Sequence, residues 1–208
     1  MPIDSCGLSI LKSRRIRTRN RKEEIVKRQA IFAFDGAAPI VRRSALEDVA
    51  LLVPLAKGGK RREYFDEDFF LYKEDVDLSW RLRLYGWDIV YCPELIAYHA
   101  RSSGTSIAKS YRDIARERRA ISPFAKTYAW RNHHLMQIKN ELPSLLFLHL
   151  PFILIREMML TLYVLLFEWY ILASIGDFFR LLPRAWEKRR IIMAHKRVNA
   201  SEMAKWFE

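Results

Sequence analysis

Hydrophobic and polar positions change period three times along this chain. Residues 1–29 are polar and arginine-rich ("LKSRRIRTRNRKEEIVKR", 11–28), which predicts a loop with a short helical turn. From Ala30 the apolar run "AIFAF" predicts a buried strand that turns at Asp35-Gly36. "SALEDVALL" predicts a short helix, with Ser44 as N-cap and Glu47 at capping-box spacing. "EDVDLSWRLRLYGW" predicts a second helix. Asp75 can cap it, Asp77 and Arg81 are spaced i,i+4, Leu78, Leu82 and Tyr85 share a face, and Gly86 supplies the left-handed stop. "DIVYCPELIAYH" predicts a strand, a turn at Pro93 and a second extended run.

Beyond residue 102 the pattern is helical. "SYRDIARERRAISPFAKTYAWRNHHLMQIKNELP" is followed by the strongly apolar "SLLFLHLPFILIREMMLTLYVLLFEWYILASIGDFF". His149, Pro151, Arg156-Glu157 and Glu168 interrupt that run, and Met158 to Ile175 is its longest nearly clean stretch. Glu157 and Glu168, three helical turns apart, could share one polar stripe. Such helices can lie in a membrane interface, form a re-entrant hairpin, span with the stripe facing protein, or pack in a soluble core. The organisation expected is a basic lead-in (1–29), an α/β unit (30–101), a helical connector (102–142) and apolar helices with a polybasic tail (143–208).

Composition narrows the picture. The 208 residues are 50% hydrophobic and 13% aromatic, which excludes disorder throughout. Cys6 and Cys92 have no metal-ligand spacing, and the N-terminus has no secretory pattern. The formal net charge of +12 is patchy: basic clusters at 11–28 and 180–197 flank an acidic stretch, Asp66 to Asp77. A patchwork argues against a nucleic-acid module, and the second cluster, following apolar helices, suits an anionic membrane surface.

The acidic stretch "YFDEDFFLYKEDVDLSW" carries the candidate chemistry. Glu74 and Asp75 open a helix, where the dipole lowers a carboxylate's pKa and an ionised carboxylate can take a proton from a hydroxyl. Asp and Glu are equally common there as plain caps. Being adjacent, the two cannot flank a glycosidic bond in the opposed way that hydrolysis requires; Asp66 or Glu67 would have to supply the second acid.

Taken in order, Gly36, Arg42-Arg43, "FDEDFF" (65–70), "EDVDLSWR" (74–81), Gly86-Trp87, Pro93-Glu94 and Tyr98-His99 resemble the acceptor-side half of family 2 glycosyltransferases, rhamnosyltransferase-like branch. "IDSCGL" is similar to the segment before this block in that family, and "WRNHHLMQIKN" to the Arg-Asn…Lys-Asn helix after it. The resemblance implies a GT-A (Rossmann-like) fold, here as an incomplete acceptor half followed by a membrane-associating helical region. It implies sugar transfer, with inversion, from a nucleotide-sugar to a hydroxyl of a glycan or lipid-linked glycan acceptor. Asp75 would be the general base and Glu74 its orienting neighbour. Asp35, Gly36 and Ala37 would floor the acceptor pocket, Trp80 and Arg81 would contact substrate, and Phe69, Phe70 and Tyr72 are further stacking candidates. His99 would help hold a divalent metal, Mg or Mn.

The family's N-terminal nucleotide-binding half, ending in a metal-binding DxD, has no counterpart here. Asp66-Glu67-Asp68 spells DxD at the wrong place in the order, after the Gly36 strand. The expectations are therefore a fragment or one chain of a split enzyme, inactive alone, at the cytoplasmic face of the membrane; the alternatives are an accessory membrane-surface protein or a basic nucleic-acid-binding module without catalysis.

Overall fold

A computed structural model describes residues 5–19, 26–55, 58–95, 97–98 and 110–208. The basic lead-in, expected as loop and helical turn, is instead an antiparallel hairpin of β1 (Leu8–Ile10) and β2 (Ile16–Thr18), with Leu8 opposite Thr18 and Ile10 opposite Ile16. Its alternate residues Leu8, Ile10 and Ile16 are buried, and this apolar alternation overrides the surrounding arginines. Arg14, in the left-handed conformation at the turn, is itself fully buried. It donates to both Glu141 oxygens (2.5 and 2.9 Å), to the Lys12 carbonyl (2.7 Å) and to the Leu145 carbonyl (3.1 Å), and stacks 4.2 Å over Phe207.

On its other side β1 bonds the segment that continues β3 (Gln29–Ala30): Leu8 N–H donates to Ala33 O (2.7 Å) and Ala33 N–H to Leu8 O (3.2 Å). β3 pairs antiparallel with β6 (Val90–Tyr91). The result is a narrow antiparallel strip, β2-β1-β3-β6, and the C-terminal Phe207-Glu208 runs alongside Ile10 and closes it. A separate hairpin, β4 (Leu51–Pro54) with β5 (Lys60–Glu63), turns through Gly58 and Gly59 at φ 87° and 83°, which only glycine adopts easily. Sequence reading did not anticipate it, although Leu51-Val53 alternation and the Gly-Gly pair are its signals.

Helix α1 (Arg43–Asp48) starts one residue before Ser44, so Ser44 is not its cap and no capping box forms. Glu47 is held by Tyr64 Oη (2.9 Å) and Arg62 instead. Helix α2 (Glu74–Leu84) ends as expected: Gly86 at φ 83° lets Trp87 N–H reach Leu82 O (2.9 Å) and Gly86 N–H reach Arg83 O (3.1 Å), the paired bonds of a Schellman stop. Its start differs. Lys73, not Asp75, is the N-cap residue, in the left-handed conformation.

The helical region comprises α3 (Tyr111–Arg119), α4 (Pro123–Asn140), α5 (Pro143–Leu148), α6 (Leu150–Phe167), a 3-10 turn (Trp169–Ala173), α7 (Ser174–His195) and α8 (Ala200–Ala204). Ser110, Ser122 and Asn199 cap α3, α4 and α8. One core takes in the strip, α2, α4, α7 and the C-terminus: Ile10, Phe32, Leu78, Trp80, Leu135, Ile192 and Phe207 all belong to it.

The stretch Met158 to Ile175 is not one helix. α6 stops at Phe167, because Glu168 turns inward to Arg118 (2.6 Å) and Lys126 (2.8 Å). α6 itself is long and apolar enough to cross a membrane, by length and composition. Its polarity is inverted: Arg156 and Glu157 pair with each other and Glu157 meets His134 (3.2 Å) on the protein side, while Phe152, Ile155, Met158, Leu162, Leu165 and Leu166 are exposed.

The acidic stretch is held to the helices by buried lysines. Lys188 of α7 contacts Asp66 (2.5 Å), Asp68 (2.8 Å) and Glu63 (3.0 Å), and Lys139 of α4 contacts Asp66 and Asp77 (2.8 Å). Asp77 also pairs with Arg81 (3.2 Å) and accepts from Asn140 (2.7 Å). Burial pushes Asp66 up, but the two ammoniums outweigh it and hold the carboxyl well below its usual range.

Lys188→Met should therefore destabilise by about 3–5 kcal/mol in urea unfolding, because three carboxylates each lose one of their cations and the buried Asp66 keeps only Lys139; a loss below about 1 kcal/mol would show the network is dispensable. The depressed Asp66 contributes stability above the ordinary aspartate pKa that drains away as pH falls towards its folded value. Urea midpoints should then drop below about pH 4 in the wild type, and less steeply in Asp66→Asn.

Candidate active site

Three consecutive features of the chain build the site. The first is the strand end at Asp35-Gly36-Ala37, where Asp35 is partly buried and Gly36 and Ala37 are exposed. The second is the N-terminus of α2. Asp75 Oδ1 accepts from its neighbour Val76 N–H (2.7 Å) and Oδ2 accepts from Gly36 N–H (3.1 Å). A methyl group on Gly36 would sit 3.3 Å from Asp75 Cβ, so this close approach uses the missing side chain. Residues 39 positions apart, singled out separately from sequence, thus meet across one hydrogen bond.

The third feature is the loop that delivers α2. Phe70, Tyr72 and Lys73 have φ of 59°, 69° and 74°, each costing on the order of 1 kcal/mol for a residue with a side chain. Two adjacent residues of α4 hold them there. The Asn132 amide nitrogen lies 2.8, 2.7 and 2.9 Å from the carbonyl oxygens of Phe69, Leu71 and Tyr72, so its two hydrogens are shared among three acceptors. Arg131 Nη2 donates to the carbonyls of Asp68 (3.0 Å) and Phe69 (3.2 Å). Sequence reading picked out the Arg-Asn pair only as a likeness; its role depends on contacts some 60 residues away and has no local signal.

Burial, more than the helix dipole, governs the carboxylates. Asp75 and Glu74 are both raised from their ordinary values, first by burial; for Asp75 the Lys73 ammonium and the two backbone N–H groups work against that rise, and Asp35 adds to it. This corrects the expectation that the helix start lowers them. One Glu74 oxygen is buried without a hydrogen-bond partner. His133, behind the loop, is kept neutral by burial and by Arg156, His134 and Lys73.

Other expected site residues fall elsewhere. Trp80 is in the core, 5.8 Å edge-on to Phe32 and 5.9 Å from Phe207, so its face is closed to a ligand. Arg81 is fully buried and spends its nitrogens on Asp77, Val49 O (2.5 Å) and Tyr64 O (2.6 Å); it shapes the site through the backbone rather than touching substrate. Phe69 is core, whereas Phe70 is exposed and leads an aromatic rim with Tyr128 (5.6 Å) and, beyond it, Phe124 (4.7 Å from Tyr128).

His99 lies outside the described residues, among which no group of acids, histidines or cysteines has metal-binding geometry. Asp66 and Asp68 do not fit a metal either, since Lys139, Lys188 and Arg184 occupy their oxygens.

The chain is 42% identical over 73 residues to the N-acetylglucosaminyl-diphospho-decaprenol L-rhamnosyltransferase of Mycobacterium tuberculosis, in both strain CDC 1551 / Oshkosh and strain ATCC 25618 / H37Rv. The matched stretch is 34% of this chain, and it spans about a fifth (20%) of each relative's length. No solved structure matches. Residues 21–177, most of the chain, match the family described as glycosyl transferase family group 2, and the chain belongs to that family.

Proposed function

We propose that this chain forms the acceptor side of an inverting glycosyltransferase, with Asp75 as general base, working on a lipid-linked glycan precursor at a membrane surface. The observation that carries the reading is the Gly36–Asp75 contact: a carboxylate with raised basicity, aimed by two backbone N–H groups beside an exposed strand end. Only two of its four lone-pair positions are taken, so either oxygen can still accept from a hydroxyl. In the transfer, Asp75 takes the acceptor's proton as the acceptor oxygen bonds to the anomeric carbon. The bond from that carbon to the nucleoside diphosphate breaks, and the diphosphate leaves with the electron pair.

Glu74 and Asp35 keep the site acidic around the base, and Phe70, exposed beside the half-buried Tyr128, offers a ring face for a sugar. The lipid-linked acceptor is supported by the decaprenol-linked substrate in the relative's name and by the outward apolar face of α6. Exposed Trp169, Phe179 and Trp186 extend that face through the 3-10 turn and α7, and exposed Arg180 and Arg190 suit anionic headgroups; together they favour helices lying in the interface of the cytoplasmic leaflet.

Asp75→Asn should abolish transfer, measured as nucleoside diphosphate released with donor and acceptor both present, in the enzyme that contains this chain. Loss of at least about a hundredfold is expected of a removed general base; transfer at the wild-type rate would sink the assignment. Because the Asp75 pKa is raised and the ionised form is the base, the rate should fall on the acid side at a pH above the ordinary aspartate value. Asn132→Ala should lower the rate without touching substrate, since it frees the loop before Asp75, and should cost about 1–3 kcal/mol of stability by leaving buried carbonyls unpaired. In flotation, the chain should rise with vesicles containing anionic lipid, and Met158→Glu with Leu162→Glu should leave it at the bottom of the gradient.

A further inference from the structure

A lysine occupies a backbone conformation that suits glycine. Lys73 sits at φ 74° and ψ 0° as the first residue of the turn into α2, held there by the Asn132 bond to the preceding carbonyl. Glycine or asparagine would fill this position with less strain. The Lys73 ammonium is partly buried and makes no ion pair or side-chain hydrogen bond among the described residues. This contrasts with Lys139 and Lys188, whose ammoniums are fully engaged. A strained residue whose cation faces Glu74 and Asp75 without closing an ion pair on either is free to take an anionic ligand.

The surroundings indicate which anion. Lys73 lies two positions from Asp75, which places their α-carbons no more than about 7–8 Å apart, roughly the width of one sugar ring. On the far side, Asn132 and its neighbours His133 and His134 bring in α6, through Glu157 on His134 (3.2 Å) and the adjacent Arg156. Arg156 spends one nitrogen on Glu157, and the groups facing Lys73 are Arg156, His133, Glu74 and Asp75. Beyond Arg156 begins the exposed apolar face of Met158, Leu162 and Leu165. Base, cation and apolar helix thus follow one another in the order sugar hydroxyl, phosphate, lipid chain.

We infer that Lys73, assisted by Arg156, binds the diphosphate that joins the acceptor's sugar to its lipid, and that the exposed face of α6 receives the lipid chain. This rests on the acceptor-side reading above and adds a recognition site to it. The shared chemistry is a diphosphate, which a donor nucleotide could also supply; the position between the base and the apolar helix commits Lys73 to the lipid.

The test is flotation of the 208-residue chain with neutral phosphatidylcholine vesicles carrying a small fraction of either polyprenyl diphosphate or polyprenol. Wild type should partition about ten times more strongly to the diphosphate vesicles, and Lys73→Met should lose that preference while keeping its binding to the polyprenol vesicles. Lys73→Arg should restore it. Lys73→Gly relieves the strained conformation, so it should unfold at an equal or higher temperature and still lose the preference, which separates the missing cation from a damaged fold.

Three results would overturn the assignment: an undiminished preference in Lys73→Met and Lys73→Gly, an equal and equally Lys73-dependent response to phosphatidylglycerol vesicles of matched charge, or displacement from diphosphate vesicles by a soluble nucleoside diphosphate. None of these measurements needs turnover. A failed flotation leaves the role of Asp75 standing, whereas wild-type transfer in Asp75→Asn removes the acceptor-side reading without altering the flotation result, so the two failures are told apart.

Discussion

Two buried ammonium groups hold this molecule together. Lys139 and Lys188 stand on different helices, and both reach Asp66; from there the charge network runs to Glu63, Asp68 and Asp77. A charge taken out of water is tolerated only when its partners are close and its remaining hydrogen-bond positions are filled. Here that requirement fixes β5, the acidic loop and α2 against α4 and α7. It also accounts for the crowding of acids and rings in a basic chain: the rings exclude water, as with Lys139 4.6 Å from the Phe69 ring, and the acids compensate lysines that come from elsewhere. Most carboxylates of the stretch are structural, and the pair opening α2, Glu74 and Asp75, closes no ion pair among the described residues.

The same division explains what could be read in the sequence. The second helix, its left-handed glycine stop and the Asp77–Arg81 pair follow from local spacing, because each depends on residues within a few positions of one another. The juxtaposition of Gly36 and Asp75 was legible only through family resemblance, since spacing says nothing about which strand end meets which helix. The N-terminal hairpin was hidden because arginines dominate its composition, while its fold is set by three apolar positions and by Arg14 turning inward to Glu141. Trp80 and Arg81 misled for a related reason. Aromatic and guanidinium groups suit sugars and phosphates, but they also serve the interior when a neighbouring helix supplies ring edges and carbonyls.

Strain and polarity are arranged around the carboxylate in a consistent way. The loop before α2 carries three left-handed residues, and the amide of Asn132 keeps them in place from the opposite helix. α6 turns its charges to the protein and its apolar side chains outward, the reverse of a helix on a water-soluble surface. The strained loop and the inverted helix approach each other through His133 and His134, so the loop before Asp75 and the apolar face are linked by a short run of one helix.

The closure of the β-strip by Phe207-Glu208 has a consequence for biogenesis. Arg14 bonds a residue 127 positions away, and Arg17 bonds Glu208 across 191 positions. A ribosome adding about 5–20 residues per second needs roughly 10–40 s to deliver the tail after the first strand emerges. Through that interval the β1-β2 hairpin lacks the partner that seals its edge, and a bare strand edge invites pairing with other chains. The hairpin is thus locked well after it is made, and its exposure to chaperones is set by the time taken to translate the residues between Arg17 and Glu208.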